Sequence, residues 1–239
     1  LLNLDGLGTV KTFDLEKAVT LNPDLIILPF KLKSIAESIE QLGIPVIYVM
    51  PESEELLNEM IELVAKVTNN EDKGKAMLDY MDEQIGIMKN CVKDQDKPKV
   101  YLGGNSSLLM TCSSQMYQNV LIENANAINV ASELEDTYWA EVSYEHILRY
   151  NPDYIILASD ASYSVEDVLN NSLLQKLEVI KNKNVYKIPG DIECFDSPVP
   201  AGFLGQLWLA SVIHSEVYSE NQYKEVYKEY YETFYNIKT

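Results

Sequence analysis

Positive charge is scarce in this sequence. Its 239 residues hold 19 lysines and arginines, Arg149 being the single arginine, against 37 aspartates and glutamates, for a formal net charge of −18. A groove that tracks a nucleic-acid backbone needs clustered cations, so nucleic acid is excluded as a partner. Adsorption to an anionic bilayer is disfavoured for the same reason. Histidine is nearly absent, with His146 and His214 alone, which argues against a histidine-rich zinc cage. Cys91, Cys112 and Cys194 are odd in number and lack CxxC spacing, so neither a disulfide framework nor a structural zinc site is indicated. No run of about 18 uncharged apolar residues occurs, which excludes a membrane-spanning helix read from hydropathy. Ser-His-Asp, P-loop and Rossmann signatures are missing too, so no catalytic residue is assigned. The opening "LLNLDGLGTV" has neither Met nor a signal-peptide pattern, and the expectation is that the natural start, with any signal peptide or lipobox cysteine, lies upstream.

What is present is a repeated phrase. "DLEKAVTLNPDLIIL" at 14–28 and "SYEHILRYNPDYIIL" at 143–157 align without a gap and share seven of fifteen positions, including Glu16 with Glu145 and Asn-Pro-Asp with Asn-Pro-Asp. In each copy a polar N-cap candidate, Asp14 or Ser143, precedes an amphipathic stretch. Asn-Pro then ends the helix, because a residue before proline is pushed out of the α region toward extended backbone. The following "DLIIL" or "DYIIL" is continuously apolar, as in a strand buried on both faces of a parallel sheet.

The surroundings of the two copies run in parallel. After Leu28 come a helix from about Lys33 to Leu42, a stop at Gly43 and a strand at Pro45 to Val49; after Leu157 come helical material and a strand near Val185 to Ile188. Such alternation implies right-handed parallel crossovers and an α/β lobe, twice over. Between them "SEELLNEMIELVAKVTN" reads as one helix. Residues 70–93 read as another, about 36 Å long, with Met77, Met81, Ile85, Met88 and Val92 along one face. The second half also opens with "KPKVYLGGNSSLLMTCSSQMYQNVLIENANAINVA", a strand, Gly-rich loop, helix and short strand without a counterpart in the first half. An opening piece of the first lobe is therefore expected to be missing from these residues.

The doubled phrase, the helix through "KGKAMLDYMDEQIGIMKN", the "GGNSSLLMTCSS" block and the closing "NVYKIPGDIECFDSPVPAGFLGQLWLASVIH" together resemble the iron-complex and cobalamin substrate-binding proteins of ABC importers. The resemblance covers nearly the whole chain. It implies a class III periplasmic-binding-protein-like fold: two three-layer α/β/α lobes with mainly parallel sheets, joined by a single long interlobe helix. The division expected is 1–69 for the remaining N-terminal lobe, 70–97 for the connecting helix and 98–239 for the C-terminal lobe. The resemblance further implies a non-enzymatic, monomeric receptor outside the cytoplasmic membrane, periplasmic or lipid-anchored. It would hand a metal chelate, a ferric siderophore first and haem or a corrinoid next, to an ABC permease dimer, with no cofactor of its own. Glu16 and Glu145 would be pseudo-symmetric docking carboxylates for the two permease subunits. Without the resemblance, a glutamate in a first helical turn is explained by the helix dipole alone.

Ligands of open α/β sheets bind beyond the carboxyl ends of the strands. The loops at those ends nominate Phe30, Lys31, Lys33, Asn105, Thr111, Cys112, Met116, Tyr163, Glu193, Phe195 and Asp196 as lining a cleft between the lobes, with Trp139 nearby. Gly103-Gly104 reads as a turn more readily than as an anion nest. Tyr163 or Tyr138 as an axial haem ligand competes with packing, the commoner role among sixteen tyrosines. Cys112 with Cys194 as a disulfide or soft metal pair competes with free buried thiols. "GFLGQLWLASV" and "QYKEVYKEYYETFY" carry stripes that read as core: Leu204, Leu207, Trp208 and Val212, then Tyr223, Val226, Tyr227, Tyr230 and Phe234. With so few cations, a neutral or weakly charged cargo such as a hydroxamate chelate or corrinoid fits better than a polyanionic catecholate. A tetrapyrrole chelatase and a receptor for a bare divalent ion are the alternatives, each short of base or ligand side chains at strand ends.

Overall fold

The structure is a computed structural model describing residues 4, 6–9, 12–134 and 138–238. Its contacts group the chain into two compact units, 1–51 and 52–239.

The first unit holds the first copy of the repeat. Asp14 caps helix α1 (Leu15–Thr20) by accepting from the Lys17 N–H at 2.9 Å. Strand β1 (Ile26–Pro29) follows, then a short 3-10 turn over Phe30–Leu32, helix α2 (Lys33–Glu40) and strand β2 (Val46–Val49). The strands pair in parallel with Leu28 opposite Tyr48. Leu28, Leu32 and Ile39 form their small core.

The second unit begins with helices α3 (Glu54–Val67) and α4 (Glu71–Val92). At 22 residues α4 is about 33 Å long. Met81, Met88 and Val92 are buried and Met77 and Ile85 pack against the same core, as the periodicity predicts. The helices touch closely where Gly74 meets Ala65: a Cβ at Gly74 would lie 2.5 Å from the Ala65 methyl. Next come strands β3 (Lys99–Gly103) and β4 (Met110–Cys112), helix α5 (Tyr117–Asn124), and strands β5 (Ile128–Asn129) and β6 (Trp139–Glu141). The second repeat gives helix α6 (Tyr144–Tyr150) and strand β7 (Tyr154–Leu157). Helices α7 (Val165–Leu169) and α8 (Glu178–Lys181), strand β8 (Val185–Lys187) and helices α9 (Phe203–Ile213) and α10 (Glu220–Tyr230) complete the order. A π-helical turn, Tyr231–Tyr235, extends α10. The main sheet runs β5-β3-β7-β8, every pairing parallel. Its two faces bury separate apolar clusters, which explains why "YIIL" and "VYLG" are apolar throughout. Both C-terminal stripes are core, with Leu204, Leu207 and Tyr230 fully buried.

Two local expectations need correction. The Asn of each Asn-Pro pair is not extended: Asn22 and Asn151 take φ of 49° and 44°. Left-handed backbone also escapes the clash with proline, and Asn tolerates it better than other residues with a Cβ, so it serves as a helix stop. The second correction is the antiparallel pair β4–β6, which three-residue strands gave no periodicity to reveal.

Gly74→Val should destabilise the fold by about 2 kcal/mol and lower Tm by roughly 4–8 °C through overpacking against Ala65. Gly86, on the same helix with nothing within 4 Å of its Cβ position, is the control: Gly86→Ala should raise stability by about 0.5–1 kcal/mol. Calorimetry that ranks the two variants the other way would refute this account of the α3–α4 contact.

Candidate functional site

The sheet order places a switch point. From β3 the chain crosses outward to β5, and from β7 outward the other way to β8, so the connections diverge at the carboxyl ends of the neighbours β3 and β7. That divergence opens the crevice in which open α/β sheets hold ligands.

Two loops meet there. The Ala158 N–H donates to the Gly103 carbonyl and the Ser162 N–H to the Asn105 carbonyl, both at 2.9 Å. Asn105 Nδ2 donates to Asp160 Oδ2 at 3.4 Å, and the Tyr163 hydroxyl donates to the Gly104 carbonyl at 2.9 Å. The glycines are required by close approach, which corrects the simple turn reading. A Cβ at Gly103 would stand 2.5 Å from the Tyr163 hydroxyl, and one at Gly104 2.7 Å from the Trp139 ring. Neither is among the described glycines with positive φ. Gly104 donates its N–H to the Met110 carbonyl at 2.6 Å, turning the chain into β4, and β6 then lays Trp139 opposite Cys112.

A third segment closes over β7. After β8, residues 189–197 return so that Asp196 accepts from the Ser159 hydroxyl at 2.5 Å and from its N–H at 3.2 Å. Asp196 is buried, and desolvation pushes its carboxyl above the ordinary aspartate range while the Ser159 bonds pull it back. Glu193 is half-buried, raised by desolvation and steadied by the Tyr231 hydroxyl at 3.3 Å.

The structure therefore brings Asn105, Trp139, Tyr163 and Asp196 together around one sheet end, while Glu193, on the same returning segment as Asp196, turns to the Tyr231 hydroxyl. Thr111, Cys112, Met116 and Phe195 belong to the same neighbourhood as buried supports, with Cys112 and Phe195 in the core. Burial pushes the Cys112 thiol up to about 12, and Cys91, Cys112 and Cys194 are free, which supports the free-thiol reading. The hydroxyl of Tyr163 is committed to Gly104 and its ionisation is suppressed by desolvation, so packing outweighs haem ligation for it. Tyr138 is exposed. Among the described residues no group of three or more His, Cys, Asp or Glu is placed to hold a metal ion.

In the first unit Phe30, Lys31 and Lys33 follow the carboxyl end of β1. The Lys33 ammonium lies 5.3 Å from the Phe30 ring centroid, and Phe30 meets Tyr48 edge-on at 6.2 Å. Tyr48, at the end of β2, is the neighbour that sequence reasoning missed; an apolar strand gave it no distinguishing signal. Glu16 and Glu145 both stand exposed in the first turn of their helices. The Ser143 hydroxyl and the helix-start backbone hold the Glu145 carboxyl below its ordinary value.

A family model described as periplasmic binding protein matches residues 3–192. The chain belongs to that family. It is 22% identical over 234 residues to the molybdate-binding protein MolA of Haemophilus influenzae, covering 87% of this chain and 66% of that one. It is 22% identical over 187 residues to the petrobactin-binding protein YclQ of Bacillus subtilis, covering 74% of this chain and 59% of the relative. The chain thus spans less than two thirds of the length of the curated relatives it matches. Among solved structures, molybdate-bound MolA superposes with a TM-score of 0.84 at 20% identity, covering 99% of this chain and 79% of that one. Helicobacter pylori CeuE with Ni(II) bound gives 0.83 at 23% identity, covering 95% and 73%. These neighbours share the periplasmic-binding-protein-like α/β fold expected from the sequence.

Asp196 yields a pH test. Its folded pKa is raised, so the fold is penalised as pH climbs through that value and unpenalised below the unfolded pKa of about 3.9. Asp196→Asn should therefore gain Tm relative to the parent between about pH 4 and pH 8. A difference in Tm that stays constant with pH would show that Asp196 does not titrate in a buried setting.

Proposed function

We propose that this protein is the extracytoplasmic cargo receptor of an ABC importer, holding a metal chelate against the carboxyl-end loops of its parallel sheets and passing it to a membrane permease dimer. The observation that carries this reading is the switch point of β3 and β7, where three segments joined by hydrogen bonds, with Asn105, Tyr163 and Asp196 on them, meet beside Trp139 of β6. Family membership supports a binding role without catalysis. The reading keeps residues 70–97 as a stiff connecting segment and takes the protein as a monomer.

Charge narrows the cargo. Segments 103–116, 158–164 and 189–197 contain Asp160, Asp191, Glu193 and Asp196 and no lysine or arginine. Nearby Lys187 donates its ammonium to the Ala161 carbonyl at 3.0 Å. A polyanion brought to these loops would meet four carboxylates against the single charge of the Lys187 ammonium, a net negative balance. Neutral or weakly charged chelates, a ferric hydroxamate first and a corrinoid or haem next, suit it better. Molybdate and petrobactin are named for the two relatives, and an oxyanion is the cargo this surface suits least.

Titrating the protein with ferric hydroxamates, ferric catecholates, haem, cobalamin and molybdate while following tryptophan fluorescence tests this. Saturable quenching by a hydroxamate is expected, and Trp139→Phe should remove most of the signal that Trp139 and Trp208 share. Quenching by molybdate or a catecholate alone would overturn the charge argument, and porphyrin metallation would favour the chelatase alternative.

Docking is tested separately. Glu16→Lys and Glu145→Lys should each leave chelate affinity unchanged and cut transport into permease-containing vesicles by about tenfold or more, since each reverses a contact charge. Normal transport by the double variant would remove both glutamates from the docking surface.

A further inference from the structure

We propose that the tyrosine-rich C-terminal tail positions the cargo-facing loop 189–197, with Tyr231 orienting Glu193 and Tyr227 bracing Phe195. This deepens the receptor reading and rests on that loop facing cargo.

The loop is held from two sides. At one end Asp196 is tied to Ser159 beyond β7. From the other side the tail supplies the contacts: the Tyr231 hydroxyl donates to Glu193 Oε1 at 3.3 Å, and the Tyr227 ring meets Phe195 edge-on at 6.0 Å. The tail is built to keep these groups still. Tyr231 is fully buried, packed edge-on against Tyr227 and Tyr230 with ring centroids 5.0 and 5.3 Å away. Tyr230 meets Phe203 of α9 at 5.0 Å, anchoring the tail to the core. Tyr231 is also where the helix changes register: Tyr231–Tyr235 form a π-helical turn, closed by the Ile237 N–H on the Tyr231 carbonyl at 3.0 Å and by Asn236 at φ 55°. A π turn shifts the direction of side chains relative to a continued α-helix. Packing alone would be served by phenylalanine here, so the buried hydroxyl directed at a carboxylate is the informative group.

The titratable groups around Glu193 are the hydroxyls of Tyr230, Tyr231 and Tyr235, while Asp191 faces Tyr223 and Tyr227. Burial favours the protonated form of Glu193, and the Tyr231 hydroxyl favours the carboxylate. Removing that hydroxyl must move Glu193 titration to higher pH.

Tyr231→Phe keeps the ring and deletes the donor. In the protein without cargo, amide exchange over 189–197 should quicken several-fold, and the Glu193 carboxyl, followed by carbon NMR, should titrate at higher pH. With a ferric trihydroxamate as probe, affinity should fall by about tenfold. The pH below which affinity is lost should rise, and in Glu193→Gln that pH dependence should vanish. Unchanged exchange and unchanged Glu193 titration in Tyr231→Phe would overturn the proposal, even where Glu193→Gln weakens the probe and so upholds the cargo site. If exchange quickens but neither Tyr231→Phe nor Glu193→Gln alters probe affinity, the loop does not face cargo, and the site reading fails together with the tail's role in it.

Discussion

Pairing of β3 with β7 is the constraint on which the larger unit's candidate site depends. Four register pairs, Val100–Tyr154 through Gly103–Leu157, bring the carboxyl ends of the two strands level. Level ends allow the next residues to continue the pattern, so Ala158 still bonds to Gly103 and Ser162 to Asn105. Slipping a parallel pair by one residue would turn each side chain to the opposite face and separate the two loops. The register is fixed at the opposite end too, where Asp153 accepts from the Lys99 N–H at 2.8 Å and returns its own N–H to the Lys99 carbonyl at 2.8 Å. The aspartate of the second Asn-Pro-Asp thus sets the register of strands whose far ends frame the candidate site.

Loop charge and loop order are linked through burial. A carboxylate loses solvation when a loop folds over a sheet end, and it stays ionised only where donors replace the water. Asp196 has Ser159 and Glu193 has Tyr231, and both remain raised in pKa, so each donor offsets part of the desolvation and not all of it. The result is a surface of low positive potential whose carboxylates are pinned. Pinned groups lose less conformational entropy when a ligand arrives, the condition under which a small polar contact contributes to affinity.

The architecture was legible because it is written in long signals. Continuous apolar strands after Asn-Pro-Asp, amphipathic helices and a duplicated order gave the parallel α/β reading, and the methionine face of α4 is buried as its spacing predicts. The loops at the carboxyl ends of the strands were legible too, since strand ends can be located without side-chain detail. What stayed hidden was non-local. Gly103 and Gly104 looked like a turn because nothing in a sequence shows that Tyr163 and Trp139 arrive from 60 and 35 residues downstream to lie against them. Cys112, Thr111 and Phe195 sit in polar-looking loop text yet face inward, since a three-residue strand such as β4 carries too short a pattern to reveal its buried side.

The two copies of the repeat show how one phrase can serve two purposes at once. Its polar start caps a helix: Asp14 accepts from Lys17, and the Ser143 N–H donates to Nδ1 of His146 at 3.3 Å. Its Asn-Pro stop fixes the exit, and its apolar end enters a sheet. These demands account for the shared Asn-Pro and apolar positions, and in the second copy Asp153 adds the tie to Lys99. Glu16 and Glu145 are exposed, and the helix dipole would accept aspartate in the same turn equally well. Structural demand therefore explains a carboxylate at this position in both copies, and in the second copy the longer side chain also reaches back to the Ser143 hydroxyl and the helix-start backbone.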